Sequence, residues 1–349
     1  MSVIDSSETI AIIANNKRLE TRSDDAKLNK LQRVIIQLLI SGVILAWLLN
    51  LSDATKVWES ILTVNPTYML VAIFALIIGS MMIAFALYIS LRNMGLKTQL
   101  KDAILASFGG QLLSDVTPAR SGYFLTPFLL QKIDGTPVEL SMTSVVTTGA
   151  MNFLVKAGLS LIALLYFVKA LSLDPTLINA LLIGISLLIV CGIGLMVLML
   201  GRRISNVFKI IKKAPLLGKA MGQVVDVLNS IQDEAHRAKE AFALVGLFIF
   251  MSIFFNAVAM NFISEGLSLG PLTILDFLLI VPLISAFGFV PMTAAGLGVQ
   301  EAGYVMLLTL SGTRLENATA FALIVRLLAI ATDAIGLPPL LKAGLGRKP

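Results

Sequence analysis

Leu100 to Lys132 reads LKDAILASFGGQLLSDVTPARSGYFLTPFLLQK, and Ile274 to Ser311 reads ILDFLLIVPLISAFGFVPMTAAGLGVQEAGYVMLLTLS. Both are apolar enough to enter lipid. Each is interrupted midway by helix-hostile sequence: Thr117-Pro118-Ala119-Arg120-Ser121-Gly122 in the first, and Pro291-Met292-Thr293-Ala294-Ala295-Gly296-Leu297-Gly298 in the second. Each half is about one leaflet long at roughly 1.5 Å per helical residue. Broken backbone at membrane depth survives only where it is buried in protein or lines a polar cavity. The two segments are therefore expected to be re-entrant helical hairpins, broken at Pro118 and Gly122 and at Pro291, Gly296 and Gly298.

Outward from these breaks lie six uninterrupted apolar segments, roughly 34–51, 68–91, 138–167, 175–200, 241–264 and 315–337. A hydrocarbon core of about 30 Å needs about 20 helical residues, so each is expected to cross. Hydrophobic residues make up 57% of the 349 and charged residues 14%, too lopsided for a soluble domain to hide. The fold class read from sequence is all-α integral membrane: six full transmembrane helices plus two broken re-entrant hairpins. Residues 1–33 and 343–349 read as cytoplasmic tails around a membrane domain at 34–342. The first apolar span follows a polar, mixed-charge stretch and has no cleavage site after it, so it reads as an anchor and not a signal peptide.

Charge placement orients the chain. If both hairpins return to the side they came from, residues 1–33, 92–101, Lys132, 201–240 and the C-terminus share one side and hold 21 of the 27 Lys and Arg. Cytoplasmic connections normally carry that excess. Hence a multi-pass protein of the cell membrane is expected, with both termini cytoplasmic. The same distribution accounts for the net charge of +6 without nucleic acid. Gly201 to Glu240 is a basic amphipathic connection suited to the anionic lipids of the cytoplasmic leaflet.

The element order repeats. A span beginning near Tyr68 precedes Pro118 by the same distance as a span beginning near Ala241 precedes Pro291, and each break leads to a second half-helix, a glycine turn (Gly135, Gly312) and a long span. Repeat one covers about 68–167 and repeat two about 241–337. With six crossings the two are inverted, an arrangement in which broken helices meet near the midplane at a transport site.

Ionisable residues inside apolar spans mark function by default, since each costs at least about 2.5 kcal/mol at a helix centre. Arg120 sits at the first hairpin's tip, where a cation and the free N–H groups of a half-helix starting near Gly122 make an anion site suited to phosphate. Ser144, Thr148, Asn152, Lys156 and Ser160 form a polar stripe, and Arg326 lies at nearly the corresponding place in repeat two, with Asp333 on the same face. The expected substrate-binding set is Arg120, Lys156, Arg326, Ser121 and Asn152; Glu301, Asp333 and Asp115 are the expected counter-charges or coupling groups. Glu301 also suits dipole capping in the first turn after the second break. Cys191 and His236 are the sole residues of their kinds, so no disulfide framework or His/Cys metal site forms, and no metal or other cofactor is expected.

At both breaks the sequence resembles the membrane region of the lysylphosphatidylglycerol synthetase family, a flippase-like domain. The likeness rests on Pro118-Ala119-Arg120-Ser121-Gly122 followed by Phe124-Leu125, on Pro291 with Ala295-Gly296-Leu297-Gly298-Val299-Gln300-Glu301, and on Arg326. It implies translocation of a lipid with a phosphate-containing head group, either an aminoacylated phospholipid or a polyprenyl-phosphate-linked sugar. The family commonly carries an acidic residue after the first motif's glycine, where this chain has Tyr123. The soluble aminoacyl-transferase domain of bifunctional members is absent, so transport and not synthesis is the expectation. A membrane-embedded transferase acting on a lipid-linked substrate and a carrier of a small anion are the alternatives. Homo-oligomerisation stays open.

Overall fold

The computed structural model describes residues 32, 35–171, 173–200, 235–289 and 293–345. Among them every regular element is helical. The helices are α1 (Ile35–Leu51), α2 (Ala54–Leu62), α3 (Pro66–Asn93), α4 (Leu100–Val116), α5 (Thr126–Asp134), α6 (Val138–Leu171), α7 (Pro175–Leu200), α8 (Ala235–Gly266), α9 (Ile274–Ser285), α10 (Val299–Leu310), α11 (Leu315–Asp333) and α12 (Leu337–Leu345). Residues 1–31 of the expected tail, 201–234 of the basic connection, Pro291 and residues 346–349 lie outside the described residues.

Among the described residues five helices are long and apolar enough to cross a membrane, six if the bent pair α1–α2 makes one span. Side chains such as Val43, Leu165, Ile183 and Val190 are 67–69% exposed; a surface this apolar requires lipid against it. Two elements went unforeseen. Asp53 turns the chain by 85° into α2, which lies along α11 through Ser52–Thr319 (2.7 Å) and Ser60–Asn317 (2.8 Å). The last span bends through a 3₁₀ turn at Ala334–Gly336 and continues as α12.

Local chemistry starts and stops these helices. Pro66 occupies the first turn of α3, where its missing N–H costs nothing, and Asn65 accepts from Thr67 N (2.9 Å). Thr273 and Asp276 cap α9 reciprocally, satisfying donors that the helix cannot. Asp174 accepts from Thr176 N (2.7 Å) ahead of α7; the Thr176 contacts hold that carboxyl below its ordinary range.

Both interrupted segments fold back on themselves. In the first, Gly122 lies against Leu113, Thr126 against Gly110 and Leu129 against Gly109, so α5 returns antiparallel along α4, and Thr98 meets Thr136 (2.9 Å) where the ends close. A Cβ at Gly110 would lie 2.1 Å from Thr126 Oγ1, which explains the Gly109-Gly110 pair. The halves are unequal, 17 residues in α4 and nine in α5, with a 3₁₀ stretch, Pro118–Leu125, between them. In the second segment, Gly296 lies against Gly288 and Gly303 against Ile284, and Thr313 Oγ1 donates to Leu269 O (3.3 Å) at the base.

The hairpins enter from opposite ends of the bundle. The first base adjoins the end of α3 and the start of α6. The second adjoins the start of α3, through Asn65 N to Gly266 O (3.1 Å), and the end of α6, through Tyr166 to Asp276 (3.3 Å). Their tips pack against one another. Between them α3 and α8 run antiparallel over most of their length, with Phe85 on Phe248, Gly79 on Ser252 and Asn256, and Tyr68 on Gly266 and Phe262.

Candidate functional site

Where the tips meet, α3, α4, α6, α8, α10 and α11 enclose a cavity of about 220 Å³. Its lining combines apolar residues, among them Leu76, Ile83, Ile249, Ile253, Met260 and Val281, with the ionisable Asp115, Arg120, Lys156, Glu301, Arg326 and Asp333. All six ionisable residues singled out from the sequence therefore come together, although they arise from five elements.

Arg120 is held by its own hairpin. Thr117 Oγ1 donates to Leu113 O (2.8 Å) and accepts from Gly122 N (2.7 Å), while Ser114 Oγ donates to Arg120 O (3.0 Å). Ala119 and Arg120 take left-handed φ values of 52° and 54°, a conformation costing about 1–2 kcal/mol for a residue with a Cβ. The guanidinium Nη2 donates to Asp115 Oδ1 at 2.7 Å, and the Asp115 side chain is 2% exposed.

The Gly122 N–H, near the start of the half-helix expected to contribute N–H groups to an anion site, is already engaged. That N–H belongs to Thr117, and a Cβ at Gly122 would lie 2.3 Å from the Leu113 carbonyl carbon, so this backbone is packed on α4 and not turned to the cavity. Ser121 is likewise placed elsewhere: it is exposed, donates to Pro118 O (2.9 Å) and does not line the cavity.

Arg326 meets partners from another helix and not Asp333 seven residues along its own. Its Nε binds Glu301 Oε1 (2.5 Å) and its Nη2 binds Gln300 Oε1 (3.0 Å). Glu301 also accepts from Gly298 N (2.6 Å), so it serves both roles the sequence offered, capping α10 and balancing a cation. That cation is Arg326. Gly296 and Gly298 have φ of +75° and +87°, which explains the glycines of the second break.

Asp333 accepts from Ser80 Oγ (3.0 Å) and lies within hydrogen-bonding reach of Asp115. Asn152 lines the cavity one turn before Lys156. Lys156 differs from the other two cations: among the described residues no carboxylate lies within 4 Å of it. Its Nζ sits 5.8 Å from the centroid of Phe289, a ring that stacks edge-on with Phe153, and it faces Arg120. Of the polar stripe, Thr148, Asn152 and Lys156 line the cavity while Ser144 and Ser160 are packed in protein.

Sequence reading missed Ser80, Gln111, Ser252, Asn256, Gln300 and Tyr304, which belong to the polar lining. Single polar residues in apolar helices resemble packing residues, so only Gln300, beside Glu301, carried a signal. The arrangement places Lys156 and Arg120 in one cavity together with apolar side chains. A comparison with curated proteins finds no match. A comparison with protein families matches residues 34–335 to the lysylphosphatidylglycerol synthase TM region.

Proposed function

Because the chain belongs to the lysylphosphatidylglycerol synthase TM region family, we propose that it carries a membrane lipid with a phosphate-containing head group across the bilayer. The observation that carries this reading is Lys156, a cation in an apolar helix that lines the cavity and has no carboxylate within 4 Å among the described residues. An unpaired charge there is costly, and a ligand anion is what would compensate it. Arg120 adds a second positive group on the facing tip. The aminoacylated phospholipid and the polyprenyl-phosphate sugar share the phosphate, and their apolar chains suit the cavity's apolar side chains.

Two inverted repeats are the proposed framework for movement. The shift that carries Tyr68 onto Ala241 and Pro118 onto Pro291 also carries Gly79 onto Ser252, and those two residues touch. Contact between equivalent residues on antiparallel helices is what a two-fold axis in the membrane plane would produce. Opposed hairpins with touching tips would then form the gates on either side of one site, with the Lys132 side cytoplasmic by the charge rule.

The test is translocation of head-group-labelled anionic phospholipid in proteoliposomes. Lys156→Gln removes the unpaired cation without orphaning a carboxylate and should reduce translocation at least tenfold. Arg120→Gln should abolish it. Wild-type rates in both variants would remove the cavity from the transport path.

A further inference from the structure

The cavity's charges do not pair off evenly. Arg326 is occupied by Glu301 and Gln300, and Arg120 by one oxygen of Asp115. The other oxygen, Asp115 Oδ2, is buried and has no hydrogen-bond partner, although it belongs to a residue only 8% exposed that lines the cavity. Among the groups that share the cavity with it is a second carboxyl, Asp333, itself 7% exposed and in electrostatic and hydrogen-bonding contact with Asp115. Two ionised carboxylates in contact, with one guanidinium bonded to Asp115 alone, repel; a proton held between them removes the repulsion and supplies the missing donor.

We infer that Asp115 and Asp333 form a proton-binding site, sharing one proton, and that this proton binds together with the anionic head group. The second half rests on the lipid-carrier reading above. The groups facing the pair are Ser80 from α3, Arg120 from the first tip, Lys156 from α6 across the cavity, and Thr332 beside Asp333. Tyr123 of the first tip, Glu301 and Tyr304 of α10 and Arg326 of α11 complete the charged and titratable lining. From α8 come only the neutral Ser252 and Asn256.

With three cations and three carboxylates the cavity is neutral when every group is ionised. With the shared proton in place it carries one net positive charge, and the cation without a carboxylate is Lys156. The protonated form is then the one that receives a phosphodiester anion. Reciprocally, an anion drawn onto Arg120 weakens its hold on Asp115 and favours the proton there. The sign follows from proton counting: the complex holds more protons than the empty protein, so head-group affinity falls as pH rises, by up to about tenfold per pH unit over the pair's titration. No covalent bond changes; a proton enters from water and leaves with the lipid.

The experiment is infrared difference spectroscopy on the full chain in phosphatidylcholine nanodiscs, with phosphatidylglycerol as the anionic probe. A protonated-carboxyl carbonyl band is expected in the wild type, growing on addition of phosphatidylglycerol and lost in Asp333→Asn and in Asp115→Asn. Phosphatidylglycerol affinity should weaken with pH in the wild type and less steeply in Asp333→Asn, whose amide mimics the protonated acid. If these variants do not fold, the wild-type pH and lipid titrations decide alone. Absence of the band, or a band indifferent to both substitutions, overturns the shared proton. A band unmoved by phosphatidylglycerol overturns the coupling. A responsive band in a protein that moves no lipid leaves the shared proton standing and defeats the carrier reading.

Discussion

Replacing Arg326 by Met should cost the protein far more stability than a surface ion pair could. The Arg326 and Glu301 side chains are 12% and 4% exposed, and the replacement leaves the Glu301 carboxylate buried with only the Gly298 N–H for compensation. Removing one partner of such a pair costs about 3–5 kcal/mol, because the surviving charge stays buried without its neighbour. Lys56–Asp53, at 3.4 Å with side chains 62% and 48% exposed, provides the internal control at about 0–1 kcal/mol. Unfolding of purified protein in mixed micelles titrated with SDS measures both. The decisive variant is the double replacement Arg326→Met with Glu301→Gln, which removes the stranded charge and keeps the cap geometry; it should recover about 1–3 kcal/mol of the loss, the range typical of coupled neighbours. A double variant as unstable as Arg326→Met alone would refute the pairing argument.

Lys156→Met should stabilise the fold by about 2 kcal/mol, on the scale for charges at a helix centre, while weakening anionic lipid binding; SDS titration and a lipid-binding assay on one preparation would show the opposite signs, and a loss in both would make Lys156 structural. Gly336→Ala places a Cβ 2.1 Å from Gly109 N and 2.3 Å from the Phe108 carbonyl carbon, backbone that cannot rotate away, so a loss of about 1–3 kcal/mol or more is expected; unchanged thermal stability would contradict the close α4 contact. Ala119→Gly, at φ 52°, should gain about 1 kcal/mol by relieving left-handed strain, and a destabilised variant would mean that the methyl contributes more than the backbone costs.

Much of the site was legible because apolar solvent makes charge conspicuous. Arg120, Lys156, Arg326, Asp115, Glu301 and Asp333 stand out in apolar sequence, and all six line one cavity. Neutral lining such as Ser80 and Asn256 was not legible, since serine and asparagine in a transmembrane helix look the same whether they pack or face a ligand. The 85° bend after Leu51 was likewise hidden in a short polar connection, and the use of the Gly122 N–H by Thr117 depends on how tightly the tip packs on α4.

Composition and the two helix-breaking motifs by themselves determine a lipid-embedded helical protein with interrupted segments at Pro118 and near Gly296, because hydropathy and backbone breaking are local properties. Which carboxylate answers which cation was decided only by the assembled fold. Glu301 reaches Arg326 across 25 residues and Ser80 reaches Asp333 across 253. Those distances close only when α11 folds back along α10 and packs beside α3, and no local pattern encodes those meetings.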